Sequence, residues 1–213
     1  LVENSIHSSM QQNGYYEIRT PVFENTDLFV RGIGTGTDIV TKEMYTWIDQ
    51  GGNNLTLKPE LTAPVVRAYI QHQLGNKAPI HRLYYFDALF RRERPQKGRQ
   101  RQFYQFGAEA IGSPNPEQDA EIIALAYNIY KSFDIQNMTV RLNSIGSAEI
   151  RPAYIKILRS SLKKIEKELC KTCRIRIEKN TLRLFDCNNS NCQELLDKNV
   201  PLIFESLSDY DQT

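Results

Sequence analysis

Phe90-Arg91-Arg92-Glu93-Arg94-Pro95-Gln96-Lys97-Gly98-Arg99-Gln100-Arg101-Gln102-Phe103-Tyr104-Gln105-Phe106-Gly107-Ala108-Glu109 reads as the turn and returning arm of a β-hairpin. Side chains alternate along a strand, so Tyr104, Phe106, Ala108 and Ala110 share one face and Phe103, Gln105, Gly107 and Glu109 the other. On the leading arm, Tyr84, Phe86, Ala88 and Phe90 form an apolar face opposed by Tyr85, Asp87, Leu89 and Arg91. The two apolar faces can pack on one core. That leaves a second face carrying Arg91, Gln105 and Glu109, with Gly107 as a gap where a ligand could approach the sheet. Such a face suits a ligand with both an anionic and a cationic group; an ordinary half-wet sheet face is the alternative.

The turn itself is densely charged. From Arg91 to Arg101 there are six Lys or Arg against one Glu, a surplus of +5 where the whole chain carries +2. Charge of that density suits a phosphate ligand, although charge runs also occur as solvated surface.

Around the hairpin, length and composition set limits. The chain has 213 residues, enough for one sizeable core and an appended smaller unit, with 40% hydrophobic and 24% charged residues. No apolar run approaches the roughly 20 residues that span a bilayer, and no signal-peptide pattern is present. A net charge of +2 argues against a general polyanion binder. All four cysteines fall between Cys170 and Cys192, a local device rather than a secreted disulfide framework, so a reduced, cytoplasmic setting is expected. The chain opens at Leu1 inside a helical pattern and ends at Asp211-Gln212-Thr213, and it reads as a fragment.

Helical spacing of Leu1, Val2, Ile6 and Met10 predicts a first helix closed by Gly14, and Tyr15 to Phe23 predicts a strand limited by Pro21. Gly32 to Thr37 is a glycine loop without the full G-x-G-x-x-G spacing or a helix behind it, which argues against a dinucleotide fold. Lys42 to Ile48 and Leu55 to Leu57 predict a hairpin. A helix follows, with Thr62 as cap, Pro64 in its first turn and Val65, Val66, Tyr69, Ile70 and Leu74 as its stripe. Further helices are expected from Asn115-Pro116 and along Ile155, Leu158, Leu162, Ile165 and Leu169, with a strand at Met138 to Asn143 between them. Strands in hairpins, with helices between the groups, predict an α+β fold: a mainly antiparallel sheet flanked by helices. The composition shift near residue 160 suggests a core over 1–160 and a basic, Cys-containing insertion, incomplete, over 161–213.

The hairpin resembles motif 2 of class II aminoacyl-tRNA synthetases, in Phe90-Arg91-Arg92-Glu93 and Gln105-Phe106-Gly107-Ala108-Glu109. The intervening Arg94 to Phe103 is similar to the histidyl-tRNA synthetase version. So are Thr37-Asp38-Ile39-Val40 with Lys42-Glu43-Met44-Tyr45, Leu57-Lys58-Pro59-Glu60-Leu61-Thr62-Ala63, and Leu142-Asn143-Ser144-Ile145-Gly146-Ser147. The resemblance implies a homodimer formed partly through the first helix and strand. It also implies a ligase that uses ATP, with Mg2+, to convert histidine to histidyl-adenylate and then transfers it to tRNA(His).

Carried onto this sequence, it gives Arg91 the ATP α-phosphate, Phe103 the adenine ring and Glu93 a contact near the nucleotide, unless Glu93 is a loop ion-pair partner. Arg99 and Arg101 would meet distal phosphates or the tRNA end, or remain solvated. Glu60, Leu61 and Thr62 fall in the segment that holds the histidine amino group, and Gln105 and Glu109 are substrate-facing. No nucleophilic side chain is required, and His7, His72 and His81 are expected to be structural. Leu61 departs from the family's glycine in that segment. The family's Gly-Leu-Asp-Tyr-Tyr stretch, motif 3 arginine and anticodon-binding domain have no match here and would lie beyond Thr213, so the chain alone is not expected to complete adenylation. The rival reading is a non-catalytic regulatory relative that senses histidine or binds a partner enzyme.

Cys170-x-x-Cys173 and Cys187-x4-Cys192 have a spacing that could enclose a tetrahedral zinc. The loose second spacing favours reduced structural or surface thiols over zinc, with disulfides a third possibility, and no metal is expected.

Overall fold

The computed structural model describes residues 1–34, 37, 39–94, 96–144 and 146–207. Thr35 and Gly36 of the glycine loop, Asp38, Pro95 of the hairpin turn and Ile145 therefore lie outside the described residues. Packing divides the chain into two compact units, Leu1–Met138 and Thr139–Thr213.

In the first unit, helix α1 (Val2–Gln12) buries Ile6 and Met10. Its end is closed by the Gly14 N–H on the Gln11 carbonyl at 3.0 Å and the Tyr15 N–H on the Met10 carbonyl at 2.9 Å. That pair of bonds requires a left-handed residue at position 14, and glycine holds it at φ 75°. The single strand expected over Tyr15 to Phe23 is split into β1 (Tyr16–Glu17) and β2 (Phe23–Asn25). The two pieces join different sheets, and Pro21, which has no N–H to give a ladder, sits between them.

Helix α2 (Thr26–Ile33) follows at once, capped by the Asn25 side chain accepting from the Asp27 N–H at 3.0 Å. Strands β3 (Thr46–Ile48) and β4 (Asn54–Leu57) form the expected hairpin, and β2 pairs on the other side of β4. Helix α3 (Thr62–Gln71) leads to the long arms β5 (His81–Phe90) and β6 (Gln102–Ile111), and α4 (Pro116–Ser132) closes the unit. The sheet β1-β5-β6 is antiparallel across β5 and β6 but parallel between β1 and β5. Ile6, Met10, Tyr15, Tyr84, Leu125 and Ile129 form a core that covers the face of Tyr84, Phe86, Phe106 and Ala108, as the alternation predicts.

The second unit is helical among its described residues: α5 (Ile150–Ile165), α6 (Lys171–Lys179) and α7 (Ser190–Asn199), with short 3-10 turns at Thr181–Asp186 and Ile203–Ser206. Tyr154, Leu158, Leu162 and Ile165 share one core with Cys173, Ile177, Leu184, Cys192 and Leu196. Packing thus draws its line after Met138, whereas a division at 160/161 would cut α5 across its buried stripe. Residues 139–144 form no strand. The alternation of Met138, Val140 and Leu142 has no ladder partner among the described residues, and a strand without one leaves its backbone groups to water. Among the described residues no helix is long and apolar enough to cross a membrane.

Candidate functional site

Antiparallel pairing of β5 with β6 sets Leu89 opposite Phe103, Asp87 opposite Gln105, Tyr85 opposite Gly107 and Leu83 opposite Glu109. Cross-strand partners share a face, so Phe103, Gln105 and Glu109 lie together. Arg91 continues the row, its backbone N–H bonded to the Arg101 carbonyl at 3.0 Å. The face is not bare, as the alternation suggested. Leu83, Tyr85 and Leu89 are buried on it beneath Leu61 and Val65, because the start of α3 has its own apolar stripe to cover. The polar side chains stand around this second, smaller core.

The Arg91 guanidinium carbon lies 5.3 Å from the centroid of the Phe103 ring, within cation–π range, and its Nε donates to the Pro59 carbonyl at 2.9 Å. Those two contacts orient the group and leave its terminal N–H donors for an anion. Glu60, rather than Thr62, caps α3: its carboxylate accepts from the Thr62 N–H at 2.8 Å and the Ala63 N–H at 3.0 Å. Burial pushes the Glu60 carboxyl above the usual range; the two backbone donors oppose that shift, and the nearby Glu109 charge adds to it.

Thr62 instead donates its hydroxyl to Glu109 Oε1 at 2.8 Å, and the Tyr85 hydroxyl donates to the same oxygen at 3.1 Å. Burial, and then the Glu109 charge, push Tyr85 up to about 12, so it stays a donor at working pH. A side chain at Gly107 would overlap the Tyr85 ring. The glycine therefore makes room for that phenol, not for an incoming ligand.

Gln105 is exposed, opposite Asp87. Asp87 receives the ammonium of Lys58, whose side chain is fully buried and also reaches the Thr20 carbonyl at 3.4 Å. Leu61 is 2% exposed and packs in the smaller core, so at that position only backbone atoms are left to meet a ligand.

At the turn, Glu93 Oε2 lies 3.3 Å from Arg99 Nε but is buried without an aligned hydrogen bond. Arg99 and Arg101 are exposed. Two clefts flank Glu93. One of about 290 Å³ is lined by Arg91, Glu93, Gly98, Gln100 and Phe103. The other, about 550 Å³, is lined by Lys42, Glu43, Arg92, Glu93, Arg94, Gln96 and Arg99. The Arg92 N–H bonds the Glu43 carbonyl at 2.7 Å, and its Nε faces the Lys42 carbonyl at 3.3 Å. Sequence reasoning did not assign Lys42 or Arg92 to a site. The charge run marked Arg92, but its tie to residues 42–43 is a long-range contact that no local pattern announces.

Away from the hairpin, His7 Nδ1 lies 2.8 Å from the Tyr84 hydroxyl and His81 Nε2 lies 2.7 Å from the Leu74 carbonyl, which gives both rings structural partners. In the second unit the four cysteines are free and their Sγ atoms lie within 4.8 Å of one another.

The hairpin face thus offers a guanidinium and an aromatic ring at one end and the Glu109 carboxylate toward the other, with Glu60 beside it. A family model described as histidyl-tRNA synthetase matches residues 1–179. A curated histidine–tRNA ligase of Moorella thermoacetica is 48% identical over 97% of this chain, and one of Chloroherpeton thalassium 50% identical over 98%. In both cases the chain spans 49% of the relative's length. The solved apo histidyl-tRNA synthetase of S. aureus aligns over 97% of this chain and 52% of its own, with 33% identity and a TM-score of 0.68. A structure described as an ATP phosphoribosyltransferase regulatory subunit/histidyl-tRNA synthetase from Bacillus halodurans C aligns over 92% of this chain and 49% of its own. At 24% identity and a TM-score of 0.61 it shows the fold alone. The chain belongs to the histidyl-tRNA synthetase family.

Proposed function

We propose that this chain carries the motif 2 half of a histidine-activating site, in which the histidine carboxylate attacks the α-phosphorus of ATP. Pyrophosphate leaves, and the histidyl-adenylate then passes its histidyl group to the terminal ribose of tRNA(His), releasing AMP. The observation that carries this reading is the common face of Arg91, Phe103, Gln105 and Glu109, with Glu60 beside it.

Arg91 would meet the charge that grows on the α-phosphoryl oxygens during attack, held ready by Pro59 and Phe103. Adenine would stack against Phe103. Glu60 would take the α-ammonium group of histidine: a carboxylate has about four acceptor sites, and the backbone of Thr62 and Ala63 does not exhaust them. Glu109, with Oε1 engaged by Thr62 and Tyr85, keeps Oε2 to receive an ammonium or an imidazole N–H. Gln105 would line the same pocket, with the backbone of Leu61 at its edge.

Arg99 would reach the distal phosphates or the tRNA end. Mg2+ would enter on the ATP phosphates, which would supply most of its oxygen ligands, and the ion would neutralise charge on the leaving pyrophosphate. Glu93 would offer a protein oxygen near that ion, since its Oε2 is buried and lacks an aligned hydrogen bond. No side chain acts as nucleophile, and the rate comes from positioning and electrostatics. A cytoplasmic homodimer is the setting this reading implies. The retained Arg91–Phe103 pair favours the ligase over a histidine-sensing regulatory subunit, which has no need of nucleotide contacts.

Calorimetric titration of the chain with a non-hydrolysable histidyl-adenylate analogue tests the proposal. Saturable binding that ATP displaces is expected. No heat of binding up to the analogue's solubility limit, with the protein shown to be folded, would remove the function assigned to this face.

A further inference from the structure

Cys170 and Cys173 flank the start of α6, and Cys192 lies in the first turn of α7, with Cys187 just before it. Asn189 caps α7 by accepting from the Cys192 N–H at 3.2 Å, and Cys170 itself caps α6. The starts of α6 and α7 thus bring Cys170, Cys173 and Cys192 into one place, and the segment leading into α7 adds Cys187. Cys173 and Cys192 are 0% and 1% exposed.

We infer that Cys170, Cys173, Cys187 and Cys192 bind one tetrahedral zinc ion, which ties α6 to α7 in the second unit. The sulfur geometry carries this. Zn–S bonds of about 2.3 Å set the edges of a tetrahedron at about 3.8 Å. Here Cys170 and Cys187 Sγ are 3.9 Å apart, and no two of the four sulfurs are separated by more than 4.8 Å. Closing on a single ion needs only small shifts. A polynuclear iron–sulfur cluster would spread its ligands further, because metal and sulfide lie between them.

The backbone is also arranged for metal-bound sulfur. The Cys170 N–H faces Cys192 Sγ at 3.3 Å, and the Cys173 N–H faces Cys170 Sγ at 3.5 Å. Donors of this kind orient thiolates and stabilise their charge, as the outer shell of a metal site does. The sulfurs also sit inside the core of the unit, with Leu169, Ile177, Leu184 and Leu196 around them. A helical unit this short gains from an internal staple, and no disulfide supplies it among the described residues.

The site is independent of the hairpin face and is tested by metal content. The chain purified under reducing conditions without chelator, then exchanged into metal-free buffer, should hold about one zinc per chain by mass spectrometry. Cobalt replacement should give the intense red-region bands and thiolate charge-transfer absorption of a tetrahedral sulfur site. Cys187→Ser should lower zinc content. The cobalt spectrum of the unaltered chain keeps the question open to test even if that variant fails to fold. Hydrogen exchange should quicken across Leu169 to Leu196 when zinc is stripped and stay unchanged in β5 and β6. Zinc below about 0.1 per chain after growth with added zinc, an octahedral cobalt spectrum, or a disulfide found by mass among these cysteines would each overturn the assignment.

Discussion

On the hairpin, Arg91, Phe103, Gln105 and Glu109 reach one face because two strands of 10 residues pair in a single register. In the second unit, four sulfurs meet because two helix starts converge, and nothing in the local chain period requires it. The first arrangement is held by the protein alone: a buried ion pair, a helix cap and a cation–π contact fix it before any ligand arrives. The second gathers groups that need an ion to hold them as thiolates. An open site set by a sheet and a closed site set by a metal should fail in different ways.

The largest expected effect breaks the scaffold of the open site. Lys58→Ala removes the partner of Asp87 beneath the face and should destabilise the first unit by about 3 kcal/mol, read from urea unfolding. That is the low end for a buried pair, because Asp87 is 31% exposed and water can reach it once the ammonium is gone. Unfolding of the second unit, followed by hydrogen exchange, should not change. A shared loss in both units would dissolve the contrast.

Arg91→Ala comes next. In the full gene product that carries this chain, histidine-dependent ATP–pyrophosphate exchange should fall by at least about 100-fold, equivalent to about 2.7 kcal/mol of transition-state stabilisation. The variant should fold, since Arg91 leaves the strand near its end and its backbone bond to Arg101 is retained. Ordinary exchange would strip Arg91 of its role.

How far each region could be read from sequence follows the same divide. Alternation on β5 and β6 assigned every side chain to its face, because a slip of one residue would turn Tyr84 and Phe106 to the wrong side. What the alternation could not give was the third partner. Leu61, just before α3, and Val65 within it cover part of the face, and Tyr85 fills the space at Gly107, both through contacts far apart in sequence. Thr62 looked like the cap because threonine often is one. The longer side chain of Glu60 reaches the N–H groups of Thr62 and Ala63 from one residue before the N-cap, leaving Thr62 to serve Glu109. α2 was missed although Asn25 and Asp27 mark its start, and the strand expected at Met138 to Asn143 had the right pattern but no partner. The cysteine spacing, uneven between the two pairs, disfavoured zinc; only the fold brings the sulfurs to a common point.

The smallest effect concerns the pH at which the open site takes its ligand. Glu60 titrates above the ordinary carboxylate value of 4.5 because it is buried, so between 4.5 and its raised value the folded chain binds more protons than the unfolded one. Stability therefore falls as pH rises through that window and is flat above it. Binding runs the other way. An ammonium group needs Glu60 ionised, so affinity for histidine should weaken as pH drops through the raised value, by at most about tenfold per unit. The imidazole of histidine titrates at about 6.5 and imposes its own slope through Glu109. Comparing the chain with Glu60→Gln separates the two, since the imidazole slope is common to both and only the Glu60 contribution remains in the difference. If calorimetric affinities of the two proteins keep a constant ratio across that range, the α-ammonium does not rest on Glu60, and the carboxylate serves α3 alone.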